Sequence, residues 1–170
     1  IYFANTDLLY FDKVYTVEDG FVENGSAIFL LSSSILLLSR FFKLFSSKST
    51  AWKIGIAVMA LLFFFAAGEE ISWGQRIFNI ESSEYFLENN AQGETNLHNM
   101  VVGGTKINKL IFSQLLTVVL VIYLIITPFL YRKYELVKNL ANQFAVPIVQ
   151  WYQTIYFLAG TVLLAFIPSN

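Results

Sequence analysis

The sequence predicts an all-α fold: a polytopic bundle of transmembrane helices forming one domain over the whole chain, 1–170. Three observations carry that expectation. Apolar residues make up 56% of the chain and aromatic ones 17%, while only 14% are charged; an ordinary soluble domain carries about a quarter. Mean hydropathy is correspondingly positive, +0.58. Charge-free runs recur at intervals, separated by short polar stretches. The charges themselves sort by side, as the positions below show.

Each span follows from its run. Asn24 to Ser39 carries no charge and forms the heart of a first helix, near 21–43. Ile54 to Gly68 gives a second, near 51–71, and Leu110 to Tyr131 a third, near 108–131. The stretch after Lys138 gives a fourth, near 145–167, with Pro147 close to its entry, where a missing backbone donor costs little. A spanning helix needs roughly 20 apolar residues at ~1.5 Å rise each. The second run is short by that measure, so Glu69 and Glu70 belong at or inside the bilayer boundary.

Orientation follows from the bases. Arg40, Lys43, Lys48 and Lys53 flank the first connection and Arg132, Lys133 and Lys138 the third, sharing their side with one acid, Glu135. The opposite side holds Lys13, Arg76, Lys106 and Lys109 with every other acid. Positive flanks stay cytoplasmic, so the loop 72–106 is expected to be extracytoplasmic and structured, in a bacterial inner membrane. Residue 1 is then expected outside, which calls for either a further spanning helix upstream, the favoured expectation, or a cleaved signal. Net charge of −1 argues against a nucleic-acid partner, leaving membrane lipids and other membrane proteins as the expected partners. The absence of cysteine removes disulfides and thiol chemistry.

Three polar clusters fall on the expected outer face. Glu18-Asp19-Gly20 precedes Glu23, and Asp19 and Glu23 would share a helix face; acids near a helix N-terminus also simply suit its dipole. Glu69 and Glu70 close the second helix, where both dipole and membrane disfavour acids, so they call for a partner. Arg76 is the nearest in sequence, and a plain ion pair tying the loop to the helix end is the alternative to a site. Trp73 suits the interfacial belt. In Gln92 to Asn99, Glu94 and His98 stand at i and i+4, so a helix there would project both from one face, as two metal ligands or as a carboxylate orienting an imidazole.

Together these give Glu69, Glu70, Glu94 and His98 as candidate catalytic residues. Arg76, Trp73, Gln75, Asn96 and Asn99 are candidate substrate contacts, with Arg76 as a clamp for an anionic head group. Glu70, Glu94, His98 and Asp19 form a candidate ligand set for a divalent metal, which would activate water or polarise a phosphoryl or carbonyl oxygen. Without metal, His98 could serve as a general base oriented by Glu94. Ser72, Ser82 and Ser83 lack a G-x-S-x-G setting. The prenyl-protein protease pattern fails because Arg76 stands six residues after Glu70 and the chain has one histidine; ceramidase-like hydrolases need several histidines.

Glu18-Asp19-Gly20 with Glu23, GEEISWGQR (68–76) and QGETNLHN (92–99) resemble a family of bacterial polytopic inner-membrane proteins that carry these motifs. The resemblance implies a helical inner-membrane protein and brings no reaction, substrate or cofactor. Two functions follow from the residues. One is a membrane-embedded hydrolase or transferase, metal-dependent or not, acting on a lipid-linked or amphipathic substrate. The other is a non-catalytic structural or accessory subunit of a larger membrane complex, with the polar motifs as its docking surface.

Overall fold

The computed structural model describes residues 2–15, 20–107, 114–164 and 166. The chain is mostly helical, and three of its helices are long and apolar enough to cross a membrane: Phe21–Leu44, Thr50–Glu70 and Leu116–Lys133. The first two lie within a residue or two of the runs predicted for them.

These two helices form a hairpin. Ser49 caps the second helix, accepting a hydrogen bond from the Trp52 amide at 3.3 Å. Ala27 and Ser34 of the first helix are buried, as are Trp52, Ile56, Ala60 and Ala67 of the second. Small residues on that seam let the backbones approach closely, the usual basis of helix association where apolar burial gives no advantage. Ser34 Oγ donates to the Ala60 carbonyl at 2.8 Å across it. Much of the remaining surface between their ends is apolar and exposed, as at Phe29, Leu36 and Leu61. Helices apolar all round are made for a non-aqueous surrounding.

The third helix is interrupted by one proline. Pro128 has no N–H, so the Leu124 carbonyl loses its ordinary donor four residues on. The backbone widens into a π-turn over Ile122–Ile126. Thr127 Oγ1 bonds the Ile122 carbonyl at 2.9 Å, and Thr154 Oγ1, from the C-terminal helix, donates to Leu124 O at 2.9 Å. The break is therefore repaired by the neighbouring helix, which it docks.

The fourth predicted span differs from expectation at its start. Residues 145–150 are not helical: Ala145 has φ +56° and Pro147 follows. The helix runs Trp151–Leu164, 14 residues or roughly 21 Å, short of the ~30 Å hydrocarbon core on its own. Residues 108–113 of the third predicted span and 165 and 167 of the fourth lie outside the described residues.

Two further features organise the ends. At the basic end, Glu135–Gln143 forms an amphipathic helix within the connection that Arg132, Lys133 and Lys138 flank. Its C-terminal neighbour Phe144 rests its carbonyl directly on Gly55 of the second helix, where any Cβ would collide with backbone. At the acid-rich end, the connection from 71 to 107 is structured by short helices, Gln75–Phe78 and Glu84–Asn89, and a two-stranded antiparallel ribbon pairing Val101 with Lys106.

Candidate functional site

The site begins where the second helix ends. Ser72, Trp73 and Gly74 take left-handed backbone angles in succession, φ +46°, +55° and +77°. For the two non-glycine residues that costs roughly 1–2 kcal/mol each, which the surroundings must offset. They do so through two buried carboxylates. Trp73 Nε1 donates to Glu69 Oε1 at 2.8 Å, and Ser72 Oγ donates to Glu94 Oε2 at 2.6 Å. The Trp73 ring lies edge-on to Phe64 and Phe65 and covers Gly68 so closely that a Cβ there would stand 2.8 Å from it.

Glu69 is 3% exposed and is used on both oxygens. Oε1 takes the indole, while Oε2 accepts the backbone amides of Leu97 at 2.6 Å and His98 at 3.2 Å. One carboxylate thus pins a distant loop to the end of the second helix. Glu94 is the second such centre. Its Oε2 accepts from Ser72 Oγ and from Asn96 Nδ2 at 2.9 Å, and its Oε1 meets the Arg76 guanidinium.

The loop itself is organised by Asn90. Its Oδ1 accepts from the amides of Gln92 at 2.9 Å and Glu94 at 3.2 Å, an Asx-turn pattern followed by Gly93 at φ +69°. Its Nδ2 donates to Asn96 O at 2.9 Å and Oδ1 at 3.0 Å. Residues 91–99 are therefore a folded turn and no helix. This corrects the i, i+4 argument: Glu94 does not orient His98. Glu94 faces Ser72, Asn96 and Arg76, and the carboxylate beside the imidazole is Glu69, with His98 Nδ1 3.9 Å from Oε2. His98 Nε2 stands 3.2 Å from Asn99 Nδ2, which also bonds Gln92 Oε1. With its proton on Nδ1, the side facing Glu69, the ring presents Nε2 as acceptor to Asn99 Nδ2. The Glu69 carboxylate facing Nδ1 raises the imidazole above its ordinary 6.5; burial works against this, and the charges of Glu70 and Glu23 add to the rise.

The other predicted contacts divide. Arg76 pairs with Glu94 and not with the Glu69–Glu70 end, because the strained turn carries it back over the loop. Its side chain is still 44% exposed and lines an open cavity of about 530 Å³ with Gln75, Asn79, Glu81 and Ser82. Gln75 Oε1 accepts the Thr95 amide at 2.7 Å. Asn96 is 1% exposed with both Nδ2 bonds inside the network, which puts it within the loop and away from any surface a substrate reaches. Trp73 and Asn99 keep partly open faces. Asp19 lies outside the described residues, and so does Glu18.

Of the carboxylates proposed for a metal, Glu94 is engaged by the loop, and Asp19 lies outside the described residues. Glu69 and Glu94 already accept from backbone, indole, hydroxyl, amide and guanidinium donors, and among the described residues no three of His, Asp and Glu are grouped to hold an ion. Three residues beyond the expected set shape the site: Ser72 bonds Glu94, Asn90 is the hinge of the loop, and Glu23 acts electrostatically on both Glu70 and His98. Asn90 was visible through its Asx position before Gly93. Nothing in the spacing marked Ser72.

Beside this polar network lies an apolar groove of about 500 Å³, lined by Asn24, Ile28, Phe64, Gly68, Trp73 and Phe78 among others. It opens between the first two long helices, next in sequence to Glu23 and Glu69. Compared with protein-family models, curated proteins and solved structures, the chain matches none.

Proposed function

We propose that the chain is a multi-pass protein of the bacterial inner membrane, four of its helices spanning, with the 72–106 loop extracytoplasmic and belonging to the family its motifs resemble. Its site acts by acid–base chemistry, as a hydrolase or transferase on a lipid-linked or amphipathic substrate. The observation that carries this reading is the pair of buried Glu69 and half-buried His98, set among Glu23 and Glu70 at the end of a spanning-length helix. A carboxylate on Nδ1 fixes the tautomer and supports the charge that the ring acquires when Nε2 takes a proton. The proton would come from the attacking water, or from the acceptor hydroxyl in a transfer, as its oxygen bonds the substrate's reacting centre; the ring would return it to the leaving group as the scissile bond breaks. The apolar groove beside the network suits the tail of an amphiphile, with its head at the polar end. A metal-assisted version would draw on Glu70, Glu94 and His98 with Asp19; of these, Glu94 already accepts from Ser72, Asn96 and Arg76.

The second reading, a non-catalytic subunit, is favoured by one fact: Glu69 and Glu94 together build a rigid platform at the end of the helix hairpin. The two are separated by His98→Gln. The backbone amides of residues 97 and 98 still reach Glu69 in this variant, so the loop keeps its tether. Purified wild-type and variant protein would be incubated with a bacterial lipid extract and the products followed by mass spectrometry. Conversion by the wild type and its loss in His98→Gln supports the enzyme. No conversion by either, with partner proteins co-purifying equally with both, puts the subunit in front.

A further inference from the structure

The opposite end of the hairpin holds a second cavity, of about 260 Å³ and unrelated to the polar network. It sits between the end of the first long helix, the start of the second and the segment 141–147. Its inner wall is apolar, from Leu37, Ile56 and Met59, and its rim carries Arg40 and Asn142. Arg40 is exposed and has no hydrogen-bond or ion-pair partner among the described residues. Asn142 Oδ1 accepts the Tyr131 hydroxyl at 3.0 Å, which fixes the amide and leaves Nδ2 as a donor with no partner among the described residues.

The setting is strongly one-signed. Lys48 and Lys53 are turned onto the rings of Trp52 and Phe45, Arg132 onto Trp151, and Lys133 onto Phe129 and Tyr134. The one acid on this face, Glu135, is held by Lys138 at 3.0 Å. Among the described residues no carboxylate neutralises Arg40. The amphipathic helix Glu135–Gln143 roofs the region with Leu136 and Leu140 exposed, the pattern of a helix lying in the membrane–water boundary. A cavity with cationic and amide donors at its rim and aliphatic walls within complements a phosphate that carries acyl chains.

We propose that this cavity binds the phosphate head group of an anionic glycerophospholipid, with Arg40 as its cation and Asn142 Nδ2 as a second donor. The inference rests on the membrane reading alone and stands whether or not the other end of the molecule is an enzyme.

The test is lipid retention by the intact chain in neutral detergent, followed by native mass spectrometry with added phosphatidylglycerol, phosphatidylcholine or inorganic phosphate. Phosphatidylglycerol is expected to bind best, with Arg40→Gln weakening it about tenfold, as loss of one charge-assisted contact should. Asn142→Asp, which keeps the Tyr131 partner but places a negative charge at the rim, should weaken it at least as much. Lys138→Gln lies on the same face outside the cavity and should leave binding unchanged. Equal binding of phosphatidylcholine, displacement by inorganic phosphate, unchanged binding in both rim variants, or an equal loss in Lys138→Gln would each overturn the proposal. The last of these would reduce the effect to bulk surface charge.

Discussion

The two ends of the helix hairpin are held together by opposite means. At the acid-rich end, two buried carboxylates gather donors from a loop more than 20 residues away, and the strained turn at 72–74 exists only because they do. At the basic end no buried carboxylate takes part. Phe144 lies on Gly55, cations lie on aromatic rings, and a proline gap is closed by a threonine. The first kind of joint depends on charge and exact donor–acceptor pairing; the second depends on shape. Each should fail to a different kind of change.

The largest effect is expected at Glu69. In Glu69→Gln one oxygen becomes an NH₂, which must face either the Trp73 indole N–H or the amides of Leu97 and His98, donor against donor. Hydrogen bonds to charged groups contribute about 1.5–3 kcal/mol each, so a loss of about 3 kcal/mol or more is expected at this end. Limited proteolysis should then cut the 84–106 region while the hairpin seam at Ser34 and Ala60 persists. A loop as protected as in the wild type would show that Glu69 is not the tether.

Gly55→Ala probes the other joint. The added methyl would stand 1.7 Å from the Phe144 carbonyl oxygen, and neither backbone can yield like a side chain. Overpacking of this kind costs about 1–3 kcal/mol. Thermal unfolding in detergent should report it, with protease resistance of the 84–106 loop unchanged. Loss of loop protection in this variant would mean that the two ends are coupled.

How much of this the sequence revealed follows the same division. The first two long helices were legible because a spanning segment excludes charge, and Asn24–Ser39 and Ile54–Gly68 contain none. The polar residues were legible as a group for the converse reason: Glu69, Glu94 and His98 are costly to leave unpaired beside a membrane. Their pairing was not legible. It depends on an Asx turn at Asn90 and left-handed residues at 72–74, which reset every spacing argument built on a helix. The amphipathic helix after Glu135 was readable from Leu136 and Leu140 at i and i+4, yet lay hidden in a stretch too polar to span.

A smaller effect is expected from Thr154→Val, which keeps the shape but removes the donor to Leu124 O, at a residue only 4% exposed. The carbonyl that Pro128 leaves open is then unsatisfied in apolar surroundings, at about 1 kcal/mol. Pairing it with Pro128→Ala, which restores the helical donor, should recover most of that loss. Without such recovery, the role assigned to Thr154 is wrong.

The smallest and most diagnostic effect is that of pH on the loop. His98 titrates above its ordinary 6.5 because Glu69 and, more weakly, Glu70 and Glu23 favour the imidazolium. A group whose folded value is raised adds stability that is complete below about 6.5, where the unfolded chain is protonated too, and is lost as pH rises through the folded value. The joint at the acid-rich end should therefore loosen from about pH 6.5 upward, well clear of the range where carboxylates titrate. Amide exchange at Leu97 and His98 reads this directly, since both donate to Glu69. Compared with His98→Gln at each pH, the wild type should be better protected on the acid side, and the difference should vanish as the imidazole deprotonates. A difference that instead grew with pH would mean that the neutral ring, and not the imidazolium, is what Glu69 holds.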